Sequence, residues 1–202
     1  MTYWGFSKMS LSENVNYLPK EKFNEILDYV KTFNVYKLDG NDIQMIFKIA
    51  YHGGLRINEV LKVSKSSFNF DLFTINLGKT KTKKHDVASF PQSFAKELKH
   101  YLDKRKIGND GLLFPISRQT IYVWLMKIGK ALHIAAWTTT QAESGEKTKT
   151  HIFRKSIGKD MLYKKAPLNI IMNKLRHNNL ATTSQYLKLN LSDVQSWENE
   201  NL

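Results

Sequence analysis

The chain has 202 residues, enough for one sizeable domain or two small ones, and 42% of them are hydrophobic, an ordinary share for a folded core. Lysine and arginine number 31 against 18 acidic residues, and the resulting charge of +13 points to a polyanionic partner, nucleic acid first and an anionic membrane surface second. There is no cysteine, which excludes disulfides, thiolate zinc fingers and thiol catalysis and makes an intracellular site the default; the chain also holds no unbroken apolar run of about 18 residues, and its first residues lack the basic start and apolar stretch of a signal peptide.

Residues 1–18 read as a loose arm. In "KEKFNEILDYVKTF" the spacing places Phe23, Ile26, Leu27, Val30 and Phe33 on one helical face. "NDIQMIFKIAYHGG" opens with polar capping residues, carries Ile43, Ile46, Phe47 and Ala50 on one face, and stops at Gly53–Gly54. A second helix, "LRINEVLKV", follows almost at once. "FNFDLFTINL" reads as one strand with Phe73, Ile75 and Leu77 alternating, and "VASFP" as the strand that returns. Between them "GKTKTKKHD" is too basic and polar for a core. "SFAKELKHYLDKR" and "SRQTIYVWLMKIGKAL" are amphipathic helices, the second capped by Ser117. "WTTTQAESGEKTKT" is a loop. "HIFRKSIGKDMLYKK", "LNIIMNKL" and "TTSQYLKL" read as helices, and "SDVQSWENE" as a short acidic one at the end. No internal repeat or low-complexity linker interrupts the chain. The reading is a mainly α domain with a small antiparallel β-sheet (α+β).

The charge is clustered. Residues 151–190 carry Arg154, Lys155, Lys159, Lys164, Lys165, Lys174, Arg176 and Lys188 against a lone Asp160, and the hairpin tip carries Lys79, Lys81, Lys83 and Lys84. Such clusters suit phosphate contacts, or a solvated lysine-rich face. A narrower constellation stands out. Arg56 follows the double glycine, and His151 and Arg154 stand at i and i+3 and share a helix face. His177 and Tyr186 close "LRHNNLATTSQY". Two arginines, a lysine and two histidines suffice to surround one phosphate, and the planar fork of arginine binds its oxygens in pairs without ever losing charge.

The order of these motifs resembles the tyrosine recombinase (phage integrase) family, through "AYHGGLRINEVLKV", "GKTKTKKHDVASFP", "LLFPISRQTIYVWL", "THIFRKSIGKDML" and "LRHNNLATTSQYLKL". Each motif alone is weak; five in order over most of the chain are strong. The resemblance implies that residues 19–190 form a catalytic domain and that Tyr186 attacks a DNA phosphodiester to leave a 3′-phosphotyrosyl link. No ATP, cofactor or metal is then required. It implies that Arg56 and Arg154 clamp the non-bridging oxygens, that Lys79 or Lys81 protonates the leaving 5′-oxygen, that His151 helps take the tyrosine proton and that His177 bonds a phosphate oxygen. Glu59 would orient Arg56. Further DNA contacts are implied at Lys83, Lys84, Lys155, Arg176 and Arg118. Double-stranded DNA is the implied partner, with self-association into dimers or tetramers, accessory DNA-bending proteins and no membrane. The setting would be the cytoplasm, in association with the nucleoid, or the host-cell cytoplasm if the protein is viral. Free protein in such a family is expected to hold Tyr186 away from the arginines.

The pattern departs from the family in three places. Only about 20 residues precede the first matching helix, so the chain is expected to be either an isolated catalytic domain or a minimal member. "LRH" stands where "LGH" is usual, which puts the turn before His177 in question. The loop before His151 is long. The tail, residues 191–202, is expected to pack on its own domain or exchange into a neighbour through Val194 and Trp197. Rival readings are a type IB topoisomerase, which uses the same residue types to nick and reseal one duplex, and a DNA-binding regulator without chemistry. A membrane binder would need a basic helix with a broad apolar face, which no segment offers.

Overall fold

The computed structural model describes residues 17–35, 38–79, 85–138 and 149–187. The apolar stripe of the first segment forms α1 (Lys20–Val30), which buries Phe23, Ile26, Leu27 and Val30. A two-residue pairing follows that the sequence pattern does not announce, β1 (Asn34–Val35) with β2 (Leu38–Asp39). Helix α2 (Gly40–His52) starts one turn earlier than its apolar residues suggest, because Asp39 is its cap: the carboxylate accepts from the amides of Asn41 (2.8 Å) and Asp42 (3.0 Å), and the Asp42 side chain accepts from the Asp39 amide. Ile43, Ile46, Phe47 and Ala50 are all buried.

The expected helix "LRINEVLKV" shrinks to one turn, α3 (Ile57–Val60). The stretch read as one strand is two, β3 (Phe68–Asn69) and β4 (Thr74–Lys79), joined by a tight turn. The cause is Asn69, whose side chain accepts from the amides of Asp71 (3.0 Å) and Leu72 (2.9 Å) and folds the chain back, with Phe73 left-handed at φ 51°. With β5 (His85–Ser89) these strands form an antiparallel sheet in the order β3-β4-β5. Thr74 pairs with Ser89, Ile75 with Ala88 and Asn76 with Val87; the register then slips before Lys79 pairs with His85. At the slip the Gly78 amide bonds the Asn76 side chain and Gly78 takes φ +75°.

Helix α4 (Gln92–Lys104) buries Phe94, Leu98 and Leu102. Helix α5 (Arg118–Ala131) is capped by Ser117, as expected, through the Thr120 amide at 3.1 Å. A short α6 (Ala135–Thr138) follows. Three helices close the described chain: α7 (Ile152–Tyr163), α8 (Leu168–Leu175) and α9 (Leu180–Leu187). The expected last helix, the N-terminal arm up to residue 16 and the tail lie outside the described residues. The fold is mainly α with a small antiparallel sheet, as the pattern indicated.

One aromatic chain ties the helices together. Phe23 stacks on Tyr51 at 4.5 Å, Phe47 stacks on Phe153 at 4.7 Å, and Trp137 meets Phe153 at 5.8 Å. Ile152 and Phe153 thus root the start of α7 in the core, and the next residue, Arg154, is carried inside with them.

Candidate active site

Four segments far apart in sequence meet at the end of α2. Gly54 turns the chain there at φ +59°, and a Cβ on it would lie 3.2 Å from the Lys174 carbonyl, so a side chain would crowd α8 as well as strain the turn. Arg56 follows as the first extended residue before α3. Its amide donates to Glu59 Oε2 (2.7 Å) and its Nη1 to Glu59 Oε1 (3.0 Å), which fixes one edge of the guanidinium. The Arg56 side chain is 46% exposed, so the other edge is open to a ligand.

Arg154 is buried, at 1% exposure. Its Nη1 donates to the Gly54 carbonyl (2.7 Å) and its Nη2 to the Leu175 carbonyl, so one guanidinium welds the Arg56 turn to the end of α8. Lys174 makes a second weld that the sequence reading did not single out. Its Nζ donates to the carbonyls of His52 (2.5 Å) and Ser89 (2.6 Å), tying α8 to the end of α2 and to β5. Burial, and then the charge of Arg176, pull the Lys174 ammonium down to about 8.

Both expected histidines face this positive region. His151, in the short 3-10 turn before α7, is pushed down to about 4, first by burial and then by Arg56, Arg154, Arg118 and Lys155. His177 is also pushed down to about 4, by burial, then Arg154, Arg56 and Arg176. Its Nδ1 lies 3.0 Å from the Thr183 hydroxyl at the start of α9. When Nδ1 accepts that hydroxyl proton, a neutral His177 carries its own proton on Nε2 and presents a donor. Both rings are therefore neutral near pH 7 in the free protein.

Arg176 occupies the turn that "LRH" put in question. It is left-handed at φ 51°, ψ 45°, the conformation a glycine would adopt freely. Its Nη2 donates to Glu59 Oε2 (2.7 Å) and its Nε to Asp86 Oδ2 of β5 (3.1 Å). Expected as a phosphate contact, it is engaged by two carboxylates. Burial pushes Glu59 up, but Arg176 first and then the bonds and charge of Arg56 outweigh it, and the carboxyl ends below its ordinary range. Lys155 is half-buried on α7 and Arg118 is exposed at the start of α5, and both act on His151. Lys81, Lys83 and Lys84 lie outside the described residues, as do the side chains of Lys79, the last residue of β4, and Tyr186, which α9 carries one turn beyond Thr183. The expected standing-off of the tyrosine therefore also falls outside them.

Among the described residues no three His, Asp or Glu side chains group as metal ligands do, and no helix is long and apolar enough to cross a membrane. A 480 Å³ cleft opens beside the Glu59–Asp86 pair, between α3 and the sheet, lined also by Asn58, Lys62, Ser66 and Asn76.

The sequence profile of the phage integrase family matches residues 16–192. Tyrosine recombinase XerA of Thermococcus onnurineus is 25% identical over 160 residues, which cover 75% of this chain and 52% of that protein. The chain spans about half the length of the curated relatives it matches. The backbone superposes on the catalytic domain of bacteriophage HP1 integrase with a TM-score of 0.62 at 16% identity, covering 92% of this chain and 94% of that one. It superposes on XerH site-specific recombinase bound to its difH substrate, in a post-cleavage complex, with a TM-score of 0.66 at 20% identity, covering 91% of this chain and 52% of that one.

Proposed function

Because the chain belongs to the phage integrase family of tyrosine recombinases, we propose that it cuts and rejoins DNA at a specific site through a covalent tyrosine intermediate, for the integration or excision of a mobile element. One observation carries the reading: Arg56 and Arg154 both bear electrostatically on His151 and on His177, although the four come from three separated segments, and α9 follows directly with Tyr186. A structural neighbour, the Tn1549 transposon integrase, is in complex with a circular intermediate DNA, which supports DNA as the substrate.

The chemistry follows from the charges. Tyr186 Oη attacks the phosphorus, the bond to the 5′-oxygen breaks, and a 3′-phosphotyrosyl link remains beside a free 5′-hydroxyl. A tyrosine hydroxyl titrates near pH 10, so a base must take its proton. His151 is unprotonated at neutral pH in the free protein and is available as the acceptor; the negative charge of a bound phosphate opposes the cations that hold its basicity down. Lys79 or Lys81 supplies the proton for the 5′-oxygen. Negative charge on the non-bridging oxygens of the transition state falls to Arg56 and the Nε2–H of His177, with Arg154 adding its charge from its buried position against the Gly54 carbonyl. The phosphoester energy is retained in the link, so a 5′-hydroxyl from a second strand reverses the step and rejoins the DNA without ATP or a metal ion. Assembly into dimers and tetramers on DNA uses the tail; deletion of residues 191–202 is expected to abolish it in analytical ultracentrifugation, and a variant that still forms tetramers on DNA excludes the exchange.

The test is covalent trapping. Nicked duplexes from the source element are incubated with protein in EDTA and run on a denaturing gel beside Tyr186→Phe. A metal-independent adduct that is lost in Tyr186→Phe is the expected result. An adduct that persists in the variant assigns the nucleophile elsewhere.

A further inference from the structure

We propose that Arg176 is a positioning residue: by bridging Asp86 and Glu59 it holds the lysine-bearing hairpin in register with Arg56 and the His177 turn. The proposal rests on the recombinase reading and adds to it a residue that does not touch the phosphate.

The geometry is specific. Asp86 sits on β5 at the base of the β4–β5 hairpin, one residue beyond the Lys79–His85 pair and next to the register slip. Glu59 is the carboxylate that holds Arg56 through both its amide and its guanidinium. Arg176 reaches both with different nitrogens while its own backbone forms the turn into His177. The side chains of this bridge are mostly shielded from water, with Arg176 only 10% exposed, Glu59 21% and Asp86 25%. Two carboxylates neutralise the guanidinium locally, which leaves it poorly suited to bind a phosphate and well suited to fix distances. The same carboxylate also shares Oε2 between the Arg56 amide and Arg176, so a shift of β5 is transmitted to Arg56 through one residue.

The position is also poor for stability alone. An arginine in the left-handed region carries a backbone strain that a glycine would not. Its Nη1 is buried with no hydrogen-bond partner among the described residues. A strained residue with an idle buried donor, placed where three elements of the site converge, is expected of a group retained for what it positions. Lysine has the charge of arginine but lacks its rigid fork, so it does not reproduce a bridge in which Nε serves Asp86 and Nη2 serves Glu59.

The bridge has two arms, and a change of leaving group separates them. A substrate with sulfur in place of the bridging 5′-oxygen expels a thiolate, which needs no proton because a thiol is far more acidic than an alcohol. Such a substrate bypasses the hairpin lysine and leaves the demand on Arg56 unchanged. At the site mapped by the trapping assay, single-turnover adduct formation is measured for Arg176→Lys, Asp86→Asn and Glu59→Gln with oxygen and with sulfur leaving groups. On the oxygen substrate each variant is expected to slow on the order of 100-fold, as for misplacement of a reacting group by an ångström. On the sulfur substrate Asp86→Asn recovers to within about threefold of wild type, Glu59→Gln does not recover, and Arg176→Lys recovers in part. Hydrogen exchange of the β5 and Arg56 amides, faster in Arg176→Lys while the core helices stay protected, distinguishes repositioning from global unfolding.

Wild-type rates for Arg176→Lys and Asp86→Asn on the oxygen substrate overturn the proposal, and so does an equal Asp86→Asn defect on both substrates. If Arg176→Lys loses its fold, the isosteric Asp86→Asn decides by itself. A wild-type protein that forms no adduct on any nicked duplex fails the recombinase reading, and the proposal falls with it; a wild-type adduct with indifferent variants fails the proposal alone.

Discussion

Lys174 keeps a half-buried ammonium beside two carbonyls and near the Arg176 charge, and this arrangement makes stability depend on pH in a calculable way. The drop from 10.5 to about 8 corresponds to about 3 kcal/mol of cost for holding that charge in the fold. The folded group binds its proton more weakly than the unfolded one, so between the two values the unfolded chain carries more protons and stability rises with pH. Below about pH 8 the cost is present in full, and it fades toward 10.5. A neutral amine still has two N–H groups, one for His52 and one for Ser89, so the welds survive deprotonation. Urea unfolding of wild type and Lys174→Met is to be compared from about pH 7 to about pH 9.5. Wild type is expected to gain about 2 kcal/mol on the variant across that range. Tyr51 and Tyr101, both pushed upward by burial and by their hydrogen bonds to Asp160 and Asp42, act in the opposite sense at higher pH. They are common to both proteins and cancel in the difference. A wild-type-minus-variant difference that stays flat from about pH 7 to about pH 9.5 refutes the reasoning, because it means that the fold does not penalise the ammonium.

Arg154→Lys is expected to lose about 1–3 kcal/mol in urea unfolding, since the lysine lacks the planar fork whose two separate nitrogens reach the Gly54 and Leu175 carbonyls, and one buried acceptor is left unpaired; a wild-type midpoint would show that the double weld is dispensable. The same variant is expected to form no covalent adduct. His52, His151 and His177 all hold their protons more weakly in the fold than in the unfolded chain. Their contribution to stability is therefore present above about pH 6.5 and is lost as pH falls toward about 4. His151→Gln is expected to flatten that acid slope in thermal melts between about pH 4.5 and about pH 7, and an unchanged slope would remove His151 from the titrating set.

Much of the site was visible as local pattern. Arg56 after a double glycine, Glu59 one turn on, and His151 with Arg154 on one face are short-range relations, and backbone periodicity places them without knowledge of the rest of the fold. The strand break after Asn69 was equally local, written in the side chain that folds the "NFDL" turn, but an alternating apolar pattern over the same residues concealed it. What stayed hidden was long-range. Arg154 finds its carbonyls 100 and 21 residues away, and Lys174 finds His52 122 residues away. No periodicity reports such partners, so a lysine that stitches three elements looked like one more charge in a basic surface.

Arg176 shows how the two kinds of information combine. The sequence marks it as an anomaly, an arginine in a turn where the family pattern has glycine, but it does not say whether the anomaly weakens the turn or serves it. The answer depends on Glu59 and Asp86, 117 and 90 residues distant, whose carboxylates arrive only when α3 and β5 pack against the end of α8. A residue that breaks a local rule and is satisfied by two distant partners reflects a constraint set by the assembled site, beyond the turn itself. Under the proposed function, the constraint is the spacing between the hairpin, Arg56 and His177, on which proton delivery to the leaving oxygen and charge stabilisation at phosphorus would both depend.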